Sequence, residues 1–206
     1  MSQQGPFEII AAPYNVYVAP VGETMADLDD ANVASVGNWE LLGTSGNLNY
    51  DEDGVTVTHE QEIEEFTPVG LTTPRKAFRT KEGLIVAFNL VDVTPATYAK
   101  VLNDATVTDT AAGAGTVGHQ AIPLMQGPFV TQFAMIIRGT QSPVADAAAS
   151  DLKVQYEIPI VYQNASPEVI YKKGTPAMLA CEFRSLYDAT SGWFGTYRAA
   201  DAVATS

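Results

Sequence analysis

The sequence predicts a mainly β fold with one principal helix. The first observation is the alternation in residues 55 to 66, VTVTHEQEIEEF, which is typical of an extended strand. The second is a series of further short apolar or alternating runs, separated by segments rich in Gly, Pro and Asn. The third is one clear helix start in TPATYAKVLN, where Thr94 is a good N-cap and Pro95 occupies the first helical position.

The elements follow one another in a simple order. The predicted strands are YNVYVA (14–19), NWELLG (38–43), VTVTHEQEIEEF (55–66), GLIVAFNLVDV (83–93), FVTQFAMIIRG (129–139), DLKVQYEIPIVYQ (151–163) and PAMLACEFRSLYD (176–188). We expect the helix of residues 94–103 to end at Asn103 and Asp104. Residues 45–54 are predicted to be rich in turns, and residues 67–81, with two prolines and a glycine, are predicted to form a long connection.

Length and composition fit one domain over residues 1–206. A hydrophobic fraction of 46% supplies a core, and a charged fraction of only 17% favours a surface that other subunits partly cover. We expect both chain ends to be flexible, including the tail AADAVATS, and the Ala-rich segment 142–151 to be a flexible connection.

The charge balance disfavours two classes of partner. A net charge of -13 argues against tight binding of nucleic acid, because such binding needs cations that release the counterions of the phosphates. It equally disfavours a basic membrane-binding surface. With no basic and apolar leader at MSQQGPFEII and no run of 18 apolar residues, we expect a soluble protein made in a cytoplasm.

No pattern of residues supports catalysis or a cofactor. Cys181, the only cysteine, lies among apolar neighbours and is predicted to be a buried thiol. Asn49, Asp51, Asp53 and Glu60 resemble a calcium loop in spacing, but alternating β-branched residues follow where that motif needs a helix, so we favour a turn that leads into a strand. We therefore expect no enzyme, no metal and no cofactor.

Two other letter patterns have simpler interpretations. The glycines at 113, 115 and 118 match a dinucleotide fingerprint, but prolines soon after them exclude the helix that the fingerprint requires. Paired carboxylates are numerous, so an acid–base site remains an alternative without positive support.

An acidic row is the first candidate functional feature. Alternation places Glu60, Glu62 and Glu64 on one side of the strand, with Val55, Val57 and Ile63 on the other. Unpaired carboxylates are too costly to bury, so the row must face water or cations.

A basic cluster follows the acidic row, and its members are Arg75, Lys76, Arg79 and Lys81. One interpretation is a hairpin whose two arms pair opposite charges. The other is electrostatic docking between neighbouring subunits. The sequence leaves both open.

The order of these features resembles the major tail proteins of long-tailed bacteriophages, the subunits of the tail tube. The resemblance rests on the strand EDGVTVTHEQEIEEF, the connection TPVGLTTPRKAFRTKEG, the strand LIVAFNLVDV and the helix TPATYAKVLN. It is most specific in KEGLIVAFNLVDVTPATYAKVLN and covers roughly residues 14 to 103, whereas later strands match only in general pattern.

The resemblance implies a β-sandwich or barrel-like tail-tube fold with one flanking α-helix and a long inter-strand loop. Six subunits would form a ring, and rings would stack into a hollow tube in the virion tail, assembled in the host cytoplasm. Its partners would be copies of itself, a tape measure protein, and tail terminator and distal tail proteins, while DNA passes without specific binding. The basic loop would contact a neighbour, and the glutamates of the acidic row are candidates for lining the bore. The alternatives are a minor tail or capsid decoration protein, or a β-sandwich binding module.

Overall fold

The computed structural model describes residues 14–44, 46–139 and 154–199, and over these residues the fold is mainly β and sandwich-like, as predicted. The described strands are β1 (Tyr14–Pro20), β2 (Glu40–Leu41), β3 (Tyr50–Phe66), β4 (Lys76–Leu90), β5 (Thr108–Thr110), β6 (His119–Ala121), β7 (Gln132–Gly139), β8 (Val154–Gln163), β9 (Leu179–Ser185) and β10 (Thr196–Ala199). The helix α1 spans Pro95–Val101, and two short 3-10 helices span Val33–Ser35 and Gly46–Asn49.

One antiparallel sheet organises the chain. Its strand order is β2-β1-β7-β8-β9-β4-β3, and β10 pairs with β8 off this path. β8 has two neighbours along one edge, because Val154 to Glu157 pair with β10 whereas Val161 to Gln163 pair with β9. In the described part of the chain the sheet stays open, with β2 and β3 at its ends, so one copy forms no closed barrel.

Both faces of the central strands are covered. On β1, Val16 and Val18 point into the main core, whereas Ala19 belongs to a second cluster beneath residues 21–39, in which Trp39 is buried. β7 behaves in the same way, which is why seven of its eight residues are buried although a half-covered strand would alternate.

The helix confirms its sequence prediction. The Thr97 N–H donates to Thr94 Oγ1 at 3.2 Å, which caps the first turn, and Pro95 follows. Asn103 and Asp104 both have positive φ, 61° and 56°, and they end the helix where expected. The buried side of α1 includes Ala99 and Val101.

Two predicted connections are wrong. β4 begins at Lys76, so the connection after β3 is residues 67–75 and not 67–81. The segment predicted to be rich in turns contributes Tyr50 to Gly54 to β3, with an irregular register up to Val55. In both places, pairing with a neighbouring strand outweighs the local preference of turn-forming residues. The predicted flexible ends, residues 1–13 and 200–206, and the whole Ala-rich segment 142–151 lie outside the described residues.

Candidate functional site: the hairpin arm

The longest hairpin of the structure extends beyond the sheet. β3 pairs with β4 out to Phe66 and Lys76, whereas β9 pairs with β4 only at residues 85–90. Residues 59–84 therefore form a two-stranded ribbon with its connecting turn, which we call the hairpin arm. From Glu60 to Phe66 the arm rises roughly 20 Å at the usual strand spacing.

Local chemistry explains the shape of the arm. The register shifts between the pairs Glu62–Lys81 and Ile63–Arg79, so Thr80 is a bulge residue in β4. At the turn, Gly70 has φ +94°, a conformation that favours glycine. The turn closes where the Arg75 N–H donates to the Phe66 carbonyl oxygen at 2.9 Å.

The first face of the arm carries the acidic row. Lys81 Nζ donates to Glu60 Oε1 at 2.8 Å, and the Arg184 guanidinium of β9 contacts the other oxygen of the same carboxylate. The hydrogen bond from Lys81 is the main cause that lowers the pKa of Glu60. Within the described chain, Glu62 and Glu64 have no ion pair, and both are exposed. The row thus holds one neutralised carboxylate at its base and two free ones farther out.

The second face of the arm carries a separate polar cluster. His59 Nε2 lies 3.2 Å from Glu82 Oε1, and Arg79 Nη1 lies 3.2 Å from the other oxygen of Glu82. Arg79 also donates from Nη2 to Gln61 Oε1 at 3.2 Å. These contacts are exposed, so each contributes at most about 1 kcal/mol. They hold the side chains of this face in place more than they stabilise the fold.

The end of the arm, residues 66–78, is apolar and basic, and we call it the hairpin tip. Its large apolar side chains are open to solvent, with exposed fractions of 57% for Phe66, 107% for Val69, 50% for Leu71 and 47% for Phe78. Lys76 Nζ lies 5.0 Å from the centre of the Phe78 ring, a cation–π contact. Neither Arg75 nor Lys76 makes an ion pair with any described residue. The tip therefore presents two unpaired positive charges beside an exposed apolar surface.

The structure divides the predicted basic cluster in two. Arg79 and Lys81 pair within the hairpin, on opposite faces of it, whereas Arg75 and Lys76 lie at the tip without an acidic partner among the described residues. Alternation places Ile63 on the same side of β3 as Val55 and Val57, but unlike them Ile63 does not pack against the core. It is 50% exposed, because no strand lies beneath this part of the arm, whereas both valines pack against the core.

Sequence reasoning missed two parts of this site. Arg184 is 124 residues from Glu60 along the chain, and no local pattern connects them. The exposed aromatic side chains at the tip were also missed, because residues 76–82, KAFRTKE, show no alternation of apolar and polar residues that would indicate a strand.

The other candidate chemistry finds little support in the described residues. They contain no group of three or more His, Cys, Asp or Glu side chains placed to hold a metal ion, and no helix long and apolar enough to cross a bilayer. The suggested calcium ligands Asp51 and Asp53 lie on β3, and Glu60 is occupied by cations of the protein itself. Cys181 is 3% exposed, as predicted, and burial raises the pKa of its thiol to about 12.

A comparison of the chain with models of protein families and a search of curated proteins found no match. The hairpin arm and the distribution of charge on it are therefore the observations that bear on function.

Proposed function

We propose that this protein is a structural subunit that polymerises, as stacked hexameric rings, into the tail tube of a long-tailed bacteriophage. The tube would be a conduit for DNA delivery, and the protein would be part of the virion and carry out no catalysis. The single observation that carries the proposal is the hairpin arm with its exposed apolar tip. The order of strands and helix described by the sequence resemblance supports the choice of tube over other assemblies.

The tip needs a partner. Folded monomers rarely leave several large apolar side chains exposed side by side, and such patches mark interaction surfaces. The open edge of β3 adds a second unsatisfied surface, because an edge strand presents unpaired N–H and C=O groups. A head-to-tail contact that closes on itself would cover the edge in a cyclic ring, and the stacking of rings would cover the tip. Copies of this chain, a tape measure protein, and terminator and distal tail proteins are the proposed partners.

The acidic row suits the wall of a DNA conduit. Duplex DNA carries about one negative charge per 1.7 Å of its axis, so an acidic wall lets it pass without adhering. Glu62 and Glu64 form no ion pair with any described residue, and they are the proposed bore-facing pair. Glu60 lies next to them at the base of the arm. The rival interpretation is that they pair with the basic tip of a neighbour.

Electron microscopy of negatively stained protein over a range of concentrations tests the proposal. We expect rings and tubes for the wild type. Val69→Asp with Leu71→Asp should abolish them while the melting temperature stays unchanged, because these side chains contribute little to the core. Thr108→Asp with Thr110→Asp is the control, since it makes the same change in charge at exposed polar residues outside the arm. A wild type that stays monomeric at high concentration would refute the proposal.

A second experiment separates the two interpretations of the acidic row. Glu62→Lys with Glu64→Lys should leave tubes intact but make them retain DNA at low salt if the row faces the bore. The control replaces Glu52 and Glu65 by lysine, because both are exposed carboxylates outside the row. If the row instead pairs with a neighbour, the first variant fails to form tubes. If this variant forms normal tubes that do not retain DNA, both interpretations are contradicted.

A further inference from the structure

A groove lies on the outward face of the sheet, at the end of the hairpin opposite the tip. Its floor is formed by β4 and β9, where Ala87 pairs with Glu182 and Asn89 pairs with Ala180. The two alanines are too small to fill the space between their neighbours. Two cavities of about 320 Å³ and about 230 Å³ adjoin there and share Asn89 and Ala180. We call this continuous depression the outward groove.

One wall of the outward groove is acidic, and the other combines apolar side chains with polar and charged ones. Asp51 and Asp53 of β3 form one wall, and the residues that line the other are Glu168, Ile170, Lys172, Thr175, Pro176 and Met178. With Glu182 on the floor, four carboxylates face one ammonium group. Asp51 Oδ2 accepts a hydrogen bond from Asn89 Nδ2 at 2.7 Å, whereas its buried Oδ1 has no hydrogen-bond partner in the described chain. The groove thus carries more carboxylates than cations and has exposed apolar surface beside them.

The hairpin tip has the complementary chemistry. It offers the unpaired cations Arg75 and Lys76 beside exposed apolar side chains, and no acidic residue lies between positions 66 and 81. The groove and the tip of one molecule cannot meet, because the paired strand from Asp53 to Phe66 separates them by roughly 40 Å at the usual rise per residue. The two surfaces can satisfy each other only between different copies.

We infer that the hairpin tip of one copy docks in the outward groove of the next copy, with Arg75 and Lys76 facing Asp51, Asp53 and the groove's other carboxylates. The inference rests on the proposed assembly and names the two surfaces that join successive subunits along the tube. The contact is heterologous, so it repeats from copy to copy.

Charge reversal tests the docking directly. The tip variant Arg75→Glu with Lys76→Glu, and the groove variant Asp53→Lys with Glu168→Lys, should each raise the protein concentration needed for assembly at least about tenfold, because they create like-charge contacts. The control Asp29→Lys with Asp109→Lys makes the same change in net charge as the groove variant, at exposed residues outside both surfaces. It should assemble like the wild type.

Mixing the two defective variants gives the sharper result. The reversed tip of the first variant fits the reversed groove of the second, and the normal tip of the second fits the normal groove of the first. A mixture in equal amounts should therefore sediment as an assembly that contains both, whereas each alone stays in the supernatant. A mixture that stays in the supernatant would overturn the docking.

A cysteine pair tests proximity independently of charge. Lys76→Cys with Asp53→Cys in one chain should give a ladder of disulfide-linked multimers under mild oxidation, since native Cys181 is buried and does not compete. Lys76→Cys with Asp109→Cys should give none. Wild-type tubes without a ladder, and without sensitivity to charge reversal, would overturn the docking and leave the tube proposal standing. A wild type that never assembles would refute the tube itself, and a missing ladder would then refute the docking too.

Discussion

Replacing Arg138 by methionine should destabilise the fold strongly, because this buried arginine joins the outer segment 21–39 to the sheet. The Arg138 side chain on β7 donates from Nε to Gln155 Oε1 at 2.7 Å, from Nη1 to the Asp30 carbonyl oxygen at 2.9 Å and from Nη2 to the Asp27 carbonyl oxygen at 2.7 Å. The residue is only 5% exposed, and this desolvation lowers the pKa of its guanidinium. Arg138 thus bridges β7, β8 and the loop from inside, and Arg198 joins Asp27 of that loop to Glu157 of β8 from the surface.

The size of the effect follows from the acceptors that lose their donor. In Arg138→Met, the Asp30 carbonyl and Gln155 Oε1 lose a charged donor, whereas the Asp27 carbonyl keeps the Asp30 N–H at 3.1 Å. A hydrogen bond from a charged donor contributes about 1.5–3 kcal/mol, so the loss of two costs roughly 3–6 kcal/mol. For a domain of this size that lowers the melting temperature by roughly 6–24 °C.

Thermal unfolding and amide hydrogen exchange measure the two consequences. Exchange should quicken most in residues 26–32, which lose their anchor, and least in β4 and β9. The control is Lys100→Met, which removes one cation from a half-exposed pair with Glu40 and Asp104 and should cost no more than about 1 kcal/mol. Equal stability of the two variants would refute the structural role given to Arg138.

Three further predictions concern single contacts. Tyr50→Phe should cost about 1–3 kcal/mol in chemical denaturation, because the Tyr50 hydroxyl accepts a hydrogen bond at 2.8 Å from a buried N–H of β1. Gly43→Ala should prevent normal folding, as judged by circular dichroism, because Gly43 has φ +96° and an added Cβ would collide with the buried Asn49 side chain. Glu60→Gln should weaken the loss of stability in acid: the pKa of Glu60 is lowered from 4.5, so its pairing with Lys81 stabilises the fold above that pH and is lost as the pH falls through the lower folded value. The fall in melting temperature below about pH 4.5 should then be smaller than in the wild type, and an equal fall would contradict it.

The elements that could be predicted are those whose cause is local. The alternation of β3 needs only neighbouring residues, because side chains two apart share a face, and the cap at Thr94 needs only the turn that it begins. The start of β4 could not be predicted in this way. Prolines and a glycine just before Lys76 indicate a loop, and only pairing with β3 shows that the strand already begins there.

The candidate site depends mostly on contacts between distant parts of the sequence. The acidic row could be recognised from spacing alone, but the neutralisation of Glu60 by Arg184 requires β9 to lie beside β4. The outward groove has the same origin, since Ala87 and Ala180 leave space only because the register brings both to the same face beside Asn89. The register between β4 and β9 cannot be obtained from the composition of the sequence.

The balance of energies in the hairpin arm explains how one chain could both stay folded as a monomer and assemble as a subunit of a polymer. A two-stranded ribbon is marginal alone, and the exposed ion pairs on its faces add little, so the arm takes its order from the sheet at its base. Fully burying four large apolar side chains stabilises by several kcal/mol, on the order of 1.5–3 kcal/mol each for those that start exposed. Self-repulsion in a chain of net charge -13 and the entropy lost on association oppose that gain. In the proposed stack of rings, one docked tip would then be weak, whereas six acting together between two rings would not, because the later contacts form at high effective concentration.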